Sequence, residues 1–311
     1  MRVTICVCTC NRPEGLDRFL AAVARMEPVR PPLERLDLII VDNMPDGRAR
    51  EVWRRHESGL GIPSTFIEEH ERGISPARNR ALASAFDGGA DFVSFLDDDD
   101  VPEPDWLQRL LEKQRNSGAD IVMGNWRLPD TLRLPSHLSE VKTLQPPDPA
   151  RLSRYGFPYN GCNVLIGRRA VDGLAGEPPY RRDYGLSGGE DIDFFIRAHR
   201  GGAVISHAAD SLVRKDPGIA RATTLGILKD AFRIGCNRAR LDQEHLPDET
   251  PSTRRRRAVK RAFKSFGKIS ARPSRWVAAA FQAFMSAGEI YGSFGGRYEY
   301  YRHVSKPKPH A

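Results

Sequence analysis

The stretch Asp91-Phe92-Val93-Ser94-Phe95-Leu96-Asp97-Asp98-Asp99-Asp100-Val101-Pro102 decides how the rest of the chain is read. Phe92 to Leu96 is a short, continuous apolar run rich in β-formers, the pattern of a buried central strand, so four consecutive carboxylates stand where that strand ends. Like charges this close repel one another unless solvent or a cation intervenes. A hard divalent ion would relieve the repulsion, and such ions are held by one or two carboxylates plus substrate phosphates. The competing account is a solvated acidic turn that caps a helix begun by Pro104, with Glu103 and Asp105 serving its dipole. Asp97 to Asp100 together with Glu103 and Asp105 are more acids than a cap uses, which favours the metal.

Upstream, Val3 to Cys8 reads as a buried strand, and Pro13 opens a helix whose Leu16, Phe19, Leu20 and Val23 recur at helical spacing. Leu36 to Val41 is a second strand ending in Asp42-Asn43, Ser64 to Ile67 a third, and Pro76 to Phe86 a helix with Ala81, Leu82 and Ala85 on one stripe. Strands alternating with helices imply an open α/β sheet with right-handed crossovers. In such sheets ligands bind outside the carboxyl ends of the strands, where the strand order reverses. Thr9, Asn11, Arg12, Asp42, Asn43 and the Asp97 to Asp100 cluster all fall at such ends.

Downstream, Pro104 to Asn116 predicts a helix with Trp106, Leu107, Leu110 and Leu111 inward and Gly118 as its stop. Ile121 to Gly124 predicts a strand, the proline-rich Pro129 to Pro158 a surface loop or lid, Gly161 to Ile166 a strand, Ser187 to Arg200 a helix, and 203–214 a further strand. In Ser187-Gly188-Gly189-Glu190-Asp191, Ser187 and Glu190 fit a capping box. Asp191 would then be left to face a cleft, where it could take a proton from an incoming hydroxyl. Arg72 and Arg78, ahead of and within a helix start, suit an anionic phosphate.

With 311 residues and 40% apolar composition the chain can build a sizeable core. No run reaches the ~18 unbroken apolar residues of a spanning helix, and a strand begins at the N-terminus without a leader, so a cytoplasmic location is expected. Cys6, Cys8 and Cys10 alternate along the first strand and read as buried, reduced thiols rather than a zinc or disulfide framework. Charge is uneven: residues 251–311 hold 14 Lys and Arg against Glu289 and Glu299, or +12, and since the whole chain is +8, residues 1–250 carry −4.

Taken in order, VTICVCTCNRP, LIIVDNMPDG, EEHERGISPARNRALASA, VSFLDDDDVPEPDWL, NGCNVLIGRRAV and GGEDIDFFIRAHRGG resemble glycosyltransferase family 2 over roughly the first two-thirds of the chain. The resemblance implies a GT-A type open, mostly parallel sheet with flanking helices. Residues 1–104 would form the nucleotide-sugar half, 105–215 the acceptor half and 216–311 a basic helical extension. It implies an inverting transfer of one sugar from a nucleotide donor, most simply a UDP-sugar, to a cell-envelope or exopolysaccharide glycan. Asp97 and Asp99 would be the ends of the family's D-x-D motif and hold Mn2+ or Mg2+. Thr9, Asn11, Arg12, Asp42, Arg78, Asp97 and Asp98 would meet the donor, Asp42 at the base. Asp191 would be the base for the acceptor hydroxyl, with Trp126, Asn163 and Glu190 on the acceptor side near Asn125 and Tyr159.

Two departures stand out. Where many relatives carry a late histidine as a further metal ligand, this chain has Ser211-Leu212-Val213-Arg214-Lys215, and His207 comes too early. A cationic Arg214 or Lys215 there would touch phosphate directly. Arg272-Pro273-Ser274-Arg275-Trp276 is similar to the Q-x-x-R-W of processive synthases, but its first position differs and it lies far beyond Asp191.

In the tail, Val259, Ala262, Phe263, Phe266 and Ile269 form an apolar stripe among Lys and Arg, the pattern of a helix lying on an anionic membrane. A lipid-linked acceptor would suit a peripheral position at the inner membrane face. The alternative is a helix packed on the main domain with its charges solvated. No nucleic-acid module surrounds the basic residues, so nucleic acid is not expected as a partner. Two other functions compete: a sugar-nucleotide pyrophosphorylase, whose glycine-rich loop after the first strand Cys10-Asn11-Arg12-Pro13 does not match, and a non-catalytic basic adaptor whose acids hold a structural ion.

Overall fold

The computed structural model describes residues 1–130, 132, 135–138, 141, 144, 148, 152–158, 163–215, 223–267 and 273–300. Eight strands form one sheet in the order β3-β2-β1-β4-β7-β6-β8-β5. They are β1 (Arg2–Thr9), β2 (Arg35–Asp42), β3 (Ser64–Glu68), β4 (Phe92–Asp97), β5 (Asp100–Pro102), β6 (Ile121–Arg127), β7 (Val164–Gly167) and β8 (Ile205–Lys215). The helices are α1 (Pro13–Val23), α2 (Arg48–His56), α3 (Ile74–Asp87), α4 (Trp106–Ser117), α5 (Arg168–Asp172), α6 (Glu190–Arg200), α7 (Thr224–His245), α8 (Pro251–Phe266) and α9 (Pro273–Ser293).

Strands β1 to β4 pair in parallel, as the βα alternation requires. The other half is mixed: β7 runs antiparallel to β4 and β6, β8 parallel to β6, and β5 antiparallel to β8. The chain steps outward from β1 to β2 and β3, then returns to place β4 on the other side of β1. That reversal puts a crevice at the carboxyl ends of β1 and β4, where Cys8 lies opposite Asp97.

Alternation along β1 and β2 sends side chains into two layers. Val3, Ile5, Val7, Leu38 and Ile40 join Leu16, Phe19 and Leu20 of α1 and Trp106, Leu107 and Leu110 of α4. Cys6, Ile39 and Val41 join Ala77, Ala81 and Leu82 of α3 and Phe194 and Phe195 of α6. Cys6 is thus a small hydrophobe, and burial pushes its thiol well up. Cys10 lies beyond the end of β1 and does not continue the strand, contrary to the sequence expectation.

Helix α2 was not expected, because in RAREVWRRH only Ala49 and Val52 are buried and no longer apolar stripe announces it. Trp53 anchors it from the rim, stacking on Phe66 at 5.4 Å and donating to Ser64 Oγ at 2.9 Å. The proline-rich connection was expected to be a surface loop or lid; among its described residues Leu138, Val141 and Leu144 are buried against Ile227, Ala231, Phe281 and Met285. These three side chains find their cover on α7 and α9.

The C-terminal helices are packed onto the body. Helix α7 begins with Thr223 capping Gly226 N at 3.0 Å, and α8 with Thr250 capping Thr253 N at 3.2 Å ahead of Pro251. His245 of α7 meets Asp193 Oδ1 of α6 at 2.9 Å, and Asn237 Nδ2 donates to Ser187 O at 3.0 Å. The stripe residues Val259, Phe263 and Phe266 of α8 nevertheless stay exposed, as does Trp276 of α9. Ile269 and Arg272 lie outside the described residues, as does Tyr159. Among the described residues no helix is long and apolar enough to cross a membrane.

Candidate active site

The acidic quartet is not a helix cap. Asp97 ends β4, Asp98 and Asp99 make the turn, and Asp100 begins the short strand β5. Asp105 occupies the N-cap position of α4 without any side-chain cap bond and accepts from Arg109 Nε at 2.9 Å, while Glu103 accepts from Arg127 at 2.8 Å. Because β5 pairs antiparallel with β8, Asp100 faces Lys215 across the sheet edge. Pro102 is tolerated there because an edge strand need not donate on both sides.

Three cations, Arg12, Arg78 and Lys215, are shared among the carboxylates of the quartet. Asp98 is buried and accepts from Thr9 Oγ1 at 2.9 Å and Arg12 at 2.9 Å. Arg12 also donates to Asp99 Oδ2 at 3.1 Å. Arg78 reaches from α3 to bond Asp97 Oδ1 at 3.1 Å and Glu190 Oε1 at 2.9 Å. Lys215 Nζ lies 3.2 Å from Asp97 Oδ2, 3.5 Å from Asp100 Oδ1 and 3.9 Å from Asp99 Oδ1.

These surroundings separate the acids electrostatically. Burial alone would raise Asp97, but Lys215 and Arg78 overcome it and hold the carboxyl down at about 2. Burial pushes Asp98 up to about 6 against the pull of Arg12, and Asp100 up to about 7 against Lys215. Glu190 is likewise raised by burial to about 7 despite Arg78. Asp97 is therefore the most firmly ionised of these acids, the property wanted in a cation ligand.

The second acidic segment folds differently from the expected capping box. Helix α6 starts at Glu190, its N-cap is Gly189, and no side chain caps it. Gly188 and Gly189 have φ of 82° and 92°, a left-handed pair that side chains resist, so Ser187 is carried out of capping reach. Glu190 turns inward to Arg78 and is 4% exposed, so its carboxylate is engaged with that guanidinium. Asp191 follows in the first turn, half-buried, with Oδ1 accepting from Ile192 N at 2.8 Å.

The other expected residues distribute between crevice and scaffold. Asp42 ends β2 beside Thr9, is 2% exposed and accepts from Met44 N at 3.0 Å, with burial raising its pKa. Asn11 takes a positive φ of 57° in the loop after β1 and accepts from Arg48. Trp126 is half-buried against the layer that holds Trp106. Asn163, expected to face the acceptor, is fully buried; its amide donates to Asn125 O at 3.2 Å and Ser211 O at 3.0 Å, which places it in the seam between β6 and β8. His207 is partly buried on β8, eight residues before Lys215, which ends the same strand beside the quartet.

Among the described residues Asp193, Glu244 and His245 bring possible ligand atoms within 4.8 Å of one another. Arg197 already bonds Asp193 at 2.9 Å and Arg181 approaches it at 3.5 Å, so this is an ion-pair network locking α6 to α7.

The family model described as Glycosyl transferase family 2 matches residues 4–172, over half of the chain. The chain belongs to glycosyl transferase family 2. This family 2 glycosyltransferase is 31% identical over 243 residues to the succinoglycan biosynthesis protein ExoM of Rhizobium meliloti (strain 1021), covering 78% of this chain and 75% of that one. It is 27% identical over 236 residues to the glycosyltransferase AglE of Haloferax volcanii, covering 75% and 71%. Its fold is similar to that of the mannosyltransferase PcManGT from Pyrobaculum calidifontis, solved with GDP-Man and Mn2+: TM-score 0.63 at 17% identity, over 94% of this chain and 86% of that one. The S. aureus TarS 1-349 complex with UDP-GlcNAc gives a TM-score of 0.53 at 15% identity, over 96% and 93%. The mixed sheet with flanking helices is thus the GT-A architecture of the family.

Proposed function

We propose that the enzyme is a metal-dependent, inverting glycosyltransferase that moves one sugar from a nucleotide donor, most simply a UDP-sugar, to an exopolysaccharide or cell-envelope glycan. The observation that carries this reading is the convergence of Asp97 and Asp99 on one cationic position at the carboxyl end of β4, flanked by Arg12 and Arg78. The succinoglycan protein supports the acceptor class, and the GDP-Man, Mn2+ and UDP-GlcNAc of the solved neighbours support a nucleotide-sugar donor with a divalent ion.

The donor set fits such an ion. Asp97 and Asp99 bring oxygens to a point where positive charge is already accommodated, and Asp100 Oδ1, fully buried, has no hydrogen bond among the described residues. Asp97 and Asp99 would hold Mn2+ or Mg2+, which when bound neutralises charge developing on the departing diphosphate. Thr9, Asn11, Arg12, Asp42 and Arg78 would orient the nucleotide, with Asp42 at the base. Asp98 fixes Arg12, and Glu190 fixes Arg78. Asp191 would accept the proton of the attacking hydroxyl. In this division residues 1–104 serve the donor and 105–215 the acceptor, while in the extension 216–311 Asn237 of α7 braces the Ser187 to Asp191 approach.

Isothermal titration of UDP tests the reading. With Mn2+ present, UDP is expected to bind at least tenfold tighter than after chelation, and Asp97→Asn should abolish the difference. UDP and GDP binding that ignores the metal and Asp97 alike would overturn the metal-dependent reading.

The acceptor reading extends to a lipid-linked glycan at the inner membrane face. On α8 the exposed Val259, Phe263 and Phe266 run beside Arg256, Lys260 and Lys264, an apolar strip with basic flanks. Co-sedimentation should favour anionic over neutral vesicles by about tenfold or more, at ~1 kcal/mol per surface Lys or Arg. The paired change Phe263→Ser and Phe266→Ser should remove most of that binding while leaving UDP affinity unchanged. Equal sedimentation of the double variant and wild type would exclude the strip.

A further inference from the structure

Lys215 sits where a divalent ion would have to bind. Its Nζ donates to Asp97 Oδ2 at 3.2 Å and lies 3.5 Å from Asp100 Oδ1 and 3.9 Å from Asp99 Oδ1. The position follows from the fold: Asp100 and Lys215 are paired residues of β5 and β8, so the backbone ladder holds the base of the lysine stem against the turn that carries Asp98 and Asp99.

A metal and this ammonium cannot share the position. A doubly charged ion and a single positive charge within about 4 Å of each other repel strongly in a site with little water to screen them. Charge balance nevertheless calls for both cations once a donor arrives. Arg12, Arg78 and Lys215 stand against Asp97, Asp98, Asp99, Asp100 and Glu190, and a diphosphate adds about two further negative charges. A flexible four-carbon stem permits what a guanidinium fork or an imidazole would not: release of the carboxylates without movement of the strand.

We propose that Lys215 is an exchangeable counter-cation. It holds Asp97 and Asp99 together before the donor binds, yields that position to the incoming metal, and moves its ammonium onto the diphosphate the metal accompanies. This rests on the metal-dependent reading above. Its consequence is that the enzyme binds Mn2+ poorly alone and well only together with nucleotide, since the metal must first displace an internal competitor and the displaced charge is satisfied only by phosphate.

Two titrations on the full chain test it: Mn2+ alone, followed by the paramagnetic resonance of free Mn2+, and UDP at saturating Mn2+. Lys215→Ala and Lys215→Met, the second keeping an apolar stem, are each expected to tighten Mn2+ alone about tenfold and to weaken UDP about tenfold. Adding Asp97→Asn to Lys215→Ala should erase the gain. If both lysine variants bind Mn2+ no better than wild type, Lys215 merely braces the turn and the proposal is overturned, even where UDP binding stays metal-dependent. A gain in Mn2+ affinity that survives Asp97→Asn overturns it too, because the ion is then elsewhere. Should UDP bind wild type equally with and without Mn2+, the metal-dependent reading itself fails and takes this one with it.

Discussion

Asp191→Asn is expected to lower sugar transfer by about a thousandfold, within the usual range for removing a general base, with UDP affinity in Mn2+ changed less than about twofold. The substitution is nearly isosteric, and the Asn Oδ1 can still accept from Ile192 N as Asp191 Oδ1 does at 2.8 Å. The left-handed Gly188-Gly189 approach and the bond from Asn237 to Ser187 O are untouched. What disappears is the second carboxylate oxygen and the negative charge that would receive a proton as the acceptor oxygen bonds to carbon. Glu190 cannot take over, since it is buried against Arg78 at 2.9 Å. Single-turnover transfer with a radiolabelled donor reads the effect, and a variant retaining a tenth or more of wild-type transfer would rule out Asp191 as the base.

The second large effect concerns stability. In most helix interiors Gly→Ala raises stability by up to ~1 kcal/mol. In Gly235→Ala the sign should reverse. A Cβ on Gly235 of α7 would lie 2.0 Å from Met285 O of α9, and one on Gly288 of α9 would lie 2.1 Å from Phe232 O. Both obstacles are backbone, so no rotamer change relieves them and the helices must separate. Separation loosens Phe281 and Met285 from Ile227 and Ala231 and disturbs α7, whose Asn237 and His245 support the segment bearing Asp191. Overpacking of this kind costs about 3 kcal/mol or more, a fall in Tm of roughly 6–12 °C. Transfer should fall along with stability. Thermal denaturation checks it; an unchanged or higher Tm for Gly235→Ala would show that α7 and α9 do not meet at these glycines.

The Gly188 to Asp191 segment stood out in the sequence, whereas the close approach of Gly235 and Gly288 had no local signal. Short β-branched and aromatic runs with acids or Asx residues at their ends announced β1, β2 and β4, and the crevice followed because parallel crossovers put strand ends together. That Thr9, Arg12, Asp42, Arg78 and Asp97 gather at one end of the sheet could be read because each sits just beyond such a run or at a helix start. Helix α2 escaped because only two of its nine residues are buried. The capping box failed because two glycines with positive φ satisfied a different backbone path from the one that Ser187 and Glu190 suggested.

By itself the sequence determined most of the strand and helix alternation as far as β8, the family, and which strand end would gather the acids, since these depend on local periodicity and on residue types at fixed spacing. Only the tertiary structure decided the pairing of β5 with β8, which brings Lys215 to residues 115 to 118 positions earlier in the chain. It also decided that Glu190, Asp98 and Asn163 hold other groups in place. Those outcomes depend on contacts between segments far apart in the chain, and no local pattern encodes which distant charge will come to rest against a given carboxylate.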